Sequence, residues 1–96
     1  MFQSLVADVT LSTVIKMKAD IDRYKDNYIA IGIRISYYRK LRGLSQEQLA
    51  ERTGLSVGFL SQVEAPGMVV GVSLNTIFAI AEVLGIEPYK LLRFDD

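Results

Sequence analysis

Between Lys16 and Arg42, eight basic residues (Lys16, Lys18, Arg23, Lys25, Arg34, Arg39, Lys40 and Arg42) stand against three acidic ones (Asp20, Asp22 and Asp26), an excess of +5. From Gly43 to Glu64 the balance is −2, and from Ala65 onward it is −2 again. Cationic groups gathered in one part of a chain can hold a polyanion; the alternative is a solvated surface of uneven charge. The net charge of zero weighs mildly against nucleic acid as that polyanion. Bond-making chemistry has little to work with. There is no histidine and no cysteine, which excludes imidazole bases, thiol nucleophiles, disulfides and Cys-based zinc sites. A metal site would need carboxylates alone, and no motif sets a nucleophile beside a base. The expectation is a protein that is not an enzyme and needs no cofactor or metal.

The elements that position any remaining chemistry centre on L-S-Q-E-Q-L-A-E-R-T-G-L-S-V-G-F-L-S-Q-V-E, residues 44–64. Ser45 followed by Gln48 is a capping-box pattern that opens a helix. Gly54 offers the left-handed conformation that ends it, and Ser56 caps a second helix two residues later. Leu49, Ala50, Leu55, Leu60 and Val63 fall at helical spacing and are the expected core. Ala50 is small because the two helices cross closely there. The product is a helix, a tight turn and a second, non-collinear helix, the helix-turn-helix signature.

At 96 residues the chain supports one domain with a single core. Val9 to Ile15 alternates like a short strand, and Met17–Lys18 offers an alternative start that would make the first sixteen residues a leader. From about Met17 the pattern turns helical: Met17, Ile21, Tyr24, Tyr28, Ile31, Ile35 and Tyr38 form one stripe, with Asn27 able to cap a fresh start. I-A-I-G-I-R-I, residues 29–35, alternates and alone would read as a strand; the flanking stripe and the stop at Gly43 make it helix. After Glu64, A-P-G-M-V-V-G-V is a loop of unusual apolarity, so Met68, Val69, Val70 and Val72 either tuck onto the core or meet another subunit. Ser73 caps a further helix with Leu74, Ile77, Phe78, Ala81 and Leu84 on one face and Gly85 at its end. Pro88 suits the first turn of a last short helix carrying Tyr89, Leu91 and Leu92. No apolar run reaches the length of a membrane span, and no signal-peptide layout precedes the domain, so a cytoplasmic, nucleoid-associated protein is expected.

These residues resemble the phage-repressor-like helix-turn-helix family of the Cro and XRE type. The segments I-R-I-S-Y-Y-R-K-L-R-G-L-S-Q-E-Q-L-A-E-R-T-G-L-S-V-G-F-L-S-Q-V-E and S-L-N-T-I-F-A-I-A-E-V-L-G-I-E-P-Y-K-L-L match its first three and last two helices in order, covering roughly Ile29 to Leu92. The resemblance implies an all-α, five-helix lambda-repressor-like domain over residues 29–93, preceded by an N-terminal extension over residues 1–28. It implies double-stranded DNA as partner, usually engaged by a homodimer, with the helix from Ser56 to Glu64 in the major groove.

By motif position, the outward-facing residues implied are Ser56, Val57, Gly58, Ser61 and Gln62. Gln62 can pair bidentately with adenine, the serines can bond bases or phosphates, and Val57 can touch a thymine methyl. Ser56 is first of all a helix cap. Gln46 sits where relatives contact a phosphate through the side chain and helix N-terminus. Arg34, Lys40, Arg42 and Arg52 are candidate backbone contacts. The family often pairs an arginine late in its first helix with a glutamate ending the recognition helix, so Arg39 and Glu64 are read as a structural pair, Arg39 reaching DNA as well. Two departures stand out: the loop from Glu64 to Ser73 is about two residues longer than the family's, and Val57–Gly58 replaces the Arg, Gln, Lys or Asn of many relatives. The direct-readout set is thin, so modest base specificity helped by DNA shape is expected.

The function implied is a sequence-specific transcriptional regulator, a dimeric repressor or controller. The competing reading is a protein-interaction module, antitoxin-like or regulator-binding, that keeps the fold with weak or no DNA binding and takes a toxin or another regulator as partner. Candidate dimer surfaces are residues 68–72, the last helices around Phe78, Tyr89 and Leu92, and the extension through Tyr28.

Overall fold

Ile31 and Ile35 resolve the ambiguous 29–35 run: both are buried on one side of a helix, where a strand would have sent Ile29, Ile31, Ile33 and Ile35 together to one face. The computed structural model describes residues 15–94. Helix α1 covers residues 15–23 of these, α2 is Lys25–Leu41, α3 Gln46–Thr53, α4 Val57–Glu64 and α5 Leu74–Leu84, and a 3₁₀ turn spans Pro88–Leu91. No strand occurs among the described residues. The alternating segment from Val9 lies outside them except for Ile15, which is helical.

The long N-terminal stripe is interrupted at Tyr24, three residues before the cap expected at Asn27. Tyr24 leaves helical geometry (φ −108°, ψ 27°) and donates its N–H to both the Asp20 and Ile21 carbonyls, a local tightening. The Tyr28 N–H then bonds the Tyr24 carbonyl and the ladder restarts. No side chain caps the restart. The boundary expected between residues 28 and 29 therefore falls inside α2, which runs unbroken until Gly43, at φ 71°, turns the chain away.

Capping in the central motif follows the residue pattern closely. The Ser45 hydroxyl accepts the Gln48 N–H at 3.0 Å, and the Gln48 side chain accepts the Ser45 N–H at 2.9 Å. Gly54 ends α3 at φ 76°, a conformation that would strain any side chain. Thr53 reinforces the turn from both directions, donating to the Leu49 carbonyl at 2.7 Å and accepting the Leu55 N–H at 3.3 Å. Ser56 then accepts the Phe59 N–H at 3.0 Å and opens α4. Ser73 does the same for α5, and Gly85 closes it.

A single core collects Ile31, Ile35, Leu49, Leu60, Ile77, Ile80, Leu84 and Leu91 with the smaller Ala50, Val63 and Ala81. Full burial of each large aliphatic side chain contributes about 1.5–3 kcal/mol. Leu55 is only half-buried, packing at the core's edge. In α5 the buried stripe is Ile77, Ile80, Ala81 and Leu84; Leu74 and Phe78, expected on the same face, are exposed. Phe78 lies about 100° around the helix from Ile77, and Leu74 stands in the first turn at the open end. In the apolar loop, Val70 and Val72 pack on the core, as the first of its two readings expects, and Met68 is exposed. Among the described residues, no helix is long and apolar enough to cross a membrane.

One glycine governs how the helices meet. A Cβ on Gly32 of α2 would collide with the backbone carbonyl of Val63 in α4. The two helices approach to backbone contact there, and nothing flexible is available to yield. Gly32→Ala should therefore lower stability by at least about 1–3 kcal/mol, the cost of an overpacked core. Gly58→Ala, whose Cβ meets nothing within 4 Å, should leave stability unchanged or raise it by up to about 1 kcal/mol. Thermal unfolding of the two variants checks this; equal melting would show that the close approach is not made in solution.

Candidate nucleic-acid interface

The outer face of α4 is built by exclusion. Leu60, Val63 and Glu64 turn inward and are buried, and Phe59 is half-buried. Val57, Gly58, Ser61 and Gln62, spaced one and four residues apart, are left together on the exposed side, with Ser56 exposed at its N-terminal end. Gln62 brings an amide donor and acceptor to this surface, and Ser61 a hydroxyl. Ser56 spends its oxygen on the cap, as expected. Val57 is 38% exposed, enough to present a methyl group outward.

What holds this face in place is an ion pair. Arg39 of α2 donates from Nε to Glu64 Oε2 at 2.9 Å and from Nη2 to Oε1 at 2.8 Å, a fork closed on the carboxylate. Its Nη1 reaches the Leu44 carbonyl at 2.7 Å, tying in the segment that leads into α3. Gln46, the first residue of α3, donates from Nε2 to Glu64 Oε1 at 3.2 Å. One carboxylate thus gathers α2, the start of α3 and the end of α4. The hydrogen bonds to Glu64 hold the Arg39 guanidinium pKa above its ordinary value, against the opposing effect of burial. The guanidinium is charged at any physiological pH.

This geometry sorts the residues predicted for the interface. Gln62, Ser61, Gly58, Val57 and Ser56 share one exposed surface. Arg39 is buried, with its charge matched inside the protein. Gln46 is half-buried, and its amide already serves Glu64. Arg42 is exposed overall, but its Nε donates to the Leu84 carbonyl at 2.7 Å, placing a cation on the C-terminal end of α5. Two of the basic residues concentrated before the motif therefore carry structural duties. Neither Gln46's bond to Glu64 nor Arg42's bond to Leu84 has a local sequence signal, because each partner is distant in the chain. Gly32 was equally silent within an ambiguous run. Among the described residues, no cluster of acidic side chains is arranged to hold a metal ion.

The pair's energetics are asymmetric. Removing one buried partner leaves the other charge unmatched and costs about 3–5 kcal/mol, whereas replacing both with apolar groups is often neutral. Arg39→Met and Glu64→Leu should each destabilise by that order, and the double variant should recover most of the loss. A double-mutant cycle by denaturant unfolding measures the coupling; additive single losses would show that the two side chains do not act as a unit.

Comparison with known proteins agrees with this architecture. A helix-turn-helix family model (HTH_3) matches residues 35–91. The HTH-type transcriptional regulator SinR of Bacillus licheniformis is 33% identical over 66 residues, which are 69% of this chain and 59% of that regulator. Among solved structures, the restriction-modification controller protein C.AhdI from Aeromonas hydrophila is similar with a TM-score of 0.63 at 36% identity, covering 69% of this chain and 97% of that one. The structure of SinR, a master regulator for biofilm formation, in complex with DNA is similar with a TM-score of 0.61 at 33% identity, covering 66% and 98%. In sequence and in three dimensions, the chain belongs to the helix-turn-helix family of the phage-repressor, Cro/XRE type.

Proposed function

We propose that this chain is a DNA-binding transcriptional regulator, acting as a homodimeric repressor or controller that lays α4 in the major groove. The observation that carries the reading is the exposed Ser56–Val57–Gly58–Ser61–Gln62 surface on a helix braced by the Arg39–Glu64 pair. Gln62 is the base reader, through paired hydrogen bonds suited to adenine, with Ser61 and Val57 adding weaker contacts. Gly58 lets the helix approach closely. Gln46 and the N-terminus of α3 position the phosphate backbone, and Arg42 adds positive charge nearby. Arg39 acts through Glu64 by fixing α4. Support comes from family membership, from a relative solved in complex with DNA and from a second that is a restriction-modification controller. Two copies presenting two α4 helices would read half-sites one helical turn apart, roughly 34 Å.

A second reading has a specific observation behind it. Arg39 and Gln46 are engaged inside the protein, and the net charge is zero. A chain with so little free positive charge at the motif would suit an interaction module, with a toxin or another regulator as partner.

A salt titration of binding to DNA from upstream of the protein's own gene separates the two. The regulator binds there more tightly than to random DNA, and affinity falls steeply as salt rises. Gln62→Ala should relax preference at one base position by about 1–3 kcal/mol while leaving the melting temperature unchanged. Binding no tighter than background to either DNA at low salt would leave the interaction-module reading standing alone.

A further inference from the structure

Helix α2 is apolar on two sides. Ile31, Gly32 and Ile35 are buried against the fold, while Ile33, Tyr37 and Leu41 are 53%, 59% and 60% exposed on the opposite side. With Ala30 they make a continuous stripe at spacings of three and four residues, and the residues around Ile33 and Tyr37 line a shallow groove. Isolated exposed aliphatics are ordinary. A helix with an apolar stripe on each side is one that is covered on each side.

The ends of the stripe say what covers it. Asp26 lies at its N-terminal end and Lys40 at its C-terminal end, both exposed. The helical rise separates them by about 21 Å. A second copy of α2 laid antiparallel, on a two-fold axis close to Ile33, brings each Asp26 level with Lys40 of the other copy. The same register brings the two Ile33 side chains together on the axis and sets small Ala30 within one residue, about 1.5 Å, of the level of bulky Tyr37 on the other copy. Each contact then occurs twice, as an isologous interface requires. A crossing angle of about 20° keeps side chains in touch along this length.

We propose that two copies of this chain meet back to back across α2, through Ala30, Ile33, Tyr37 and Leu41, with Asp26 and Lys40 pairing across both ends. The inference rests on the two-copy reading above and names the surface that reading leaves open.

Analytical ultracentrifugation of the full chain and its variants tests it. Ile33→Asp should raise the dimer dissociation constant about tenfold or more, with the helical signal in circular dichroism retained. Asp26→Lys and Lys40→Asp should each weaken pairing about five- to tenfold, by setting like charges opposite one another twice. The double variant Asp26→Lys/Lys40→Asp restores opposite charges and should return to within about twofold of the original. A dimer unmoved by Ile33→Asp overturns the surface while the two-copy reading survives. Charge reversals that weaken pairing without recovery in the double variant overturn the antiparallel register. A chain that stays monomeric at every concentration overturns the pairing and its surface together, and DNA binding by that monomer would still be measured independently.

Discussion

Everything the motif presents outward depends on a carboxylate it keeps inward. Glu64 ends α4, and around it close Arg39 from α2 and Gln46 from the first turn of α3. Helices of eight residues such as α3 and α4 have little stability of their own and take their orientation from tertiary contacts. Apolar packing through Leu49, Leu60 and Val63 supplies much of the cohesion, but it is non-directional. A forked, charge-assisted pair fixes direction as well as distance. It sets the angle at which α4 lies against α2 and α3.

Charge composition and charge availability differ for the same reason. The excess of basic residues from Lys16 to Arg42 suggests a polyanion-binding surface, yet Arg39 is neutralised by Glu64 and Arg42 is drawn to the end of α5. Such internal use leaves fewer free cations than the count of basic residues suggests. On the reading proposed above, affinity would rest more on shape and helix termini than on a dense array of free cations.

Local chemistry was legible in the sequence; long-range chemistry was legible only where the family supplied it. Ser45 with Gln48, Gly54, Ser56, Ser73 and Gly85 all act within four residues of themselves, and each does what its position implies. The Arg39–Glu64 pair spans 25 positions and was expected because the family resemblance pointed to it. Gly32 shows the limit. Its function is to let the Val63 backbone come close, a fact about another helix that no window around Gly32 contains. Leu74 and Phe78 were misplaced for a related reason: periodicity marks a face, but only the neighbouring elements decide how far around and along it burial extends. The residues expected to face outward on α4 are exposed as a set, whereas the engagement of Gln46 by Glu64 was invisible until the two helices were seen together.

The Thr53–Ser56 turn has a thermodynamic consequence. Its backbone groups are bonded within the free chain, by Thr53 to Leu49 and Leu55, by Gly54 to Ala50 and by Ser56 to Phe59. The helix that follows is therefore ordered before it meets anything, and little conformational entropy remains to be lost on association. Complex formation would then show a heat-capacity change on the scale of one contact surface, without the much larger signature of a segment that folds as it binds.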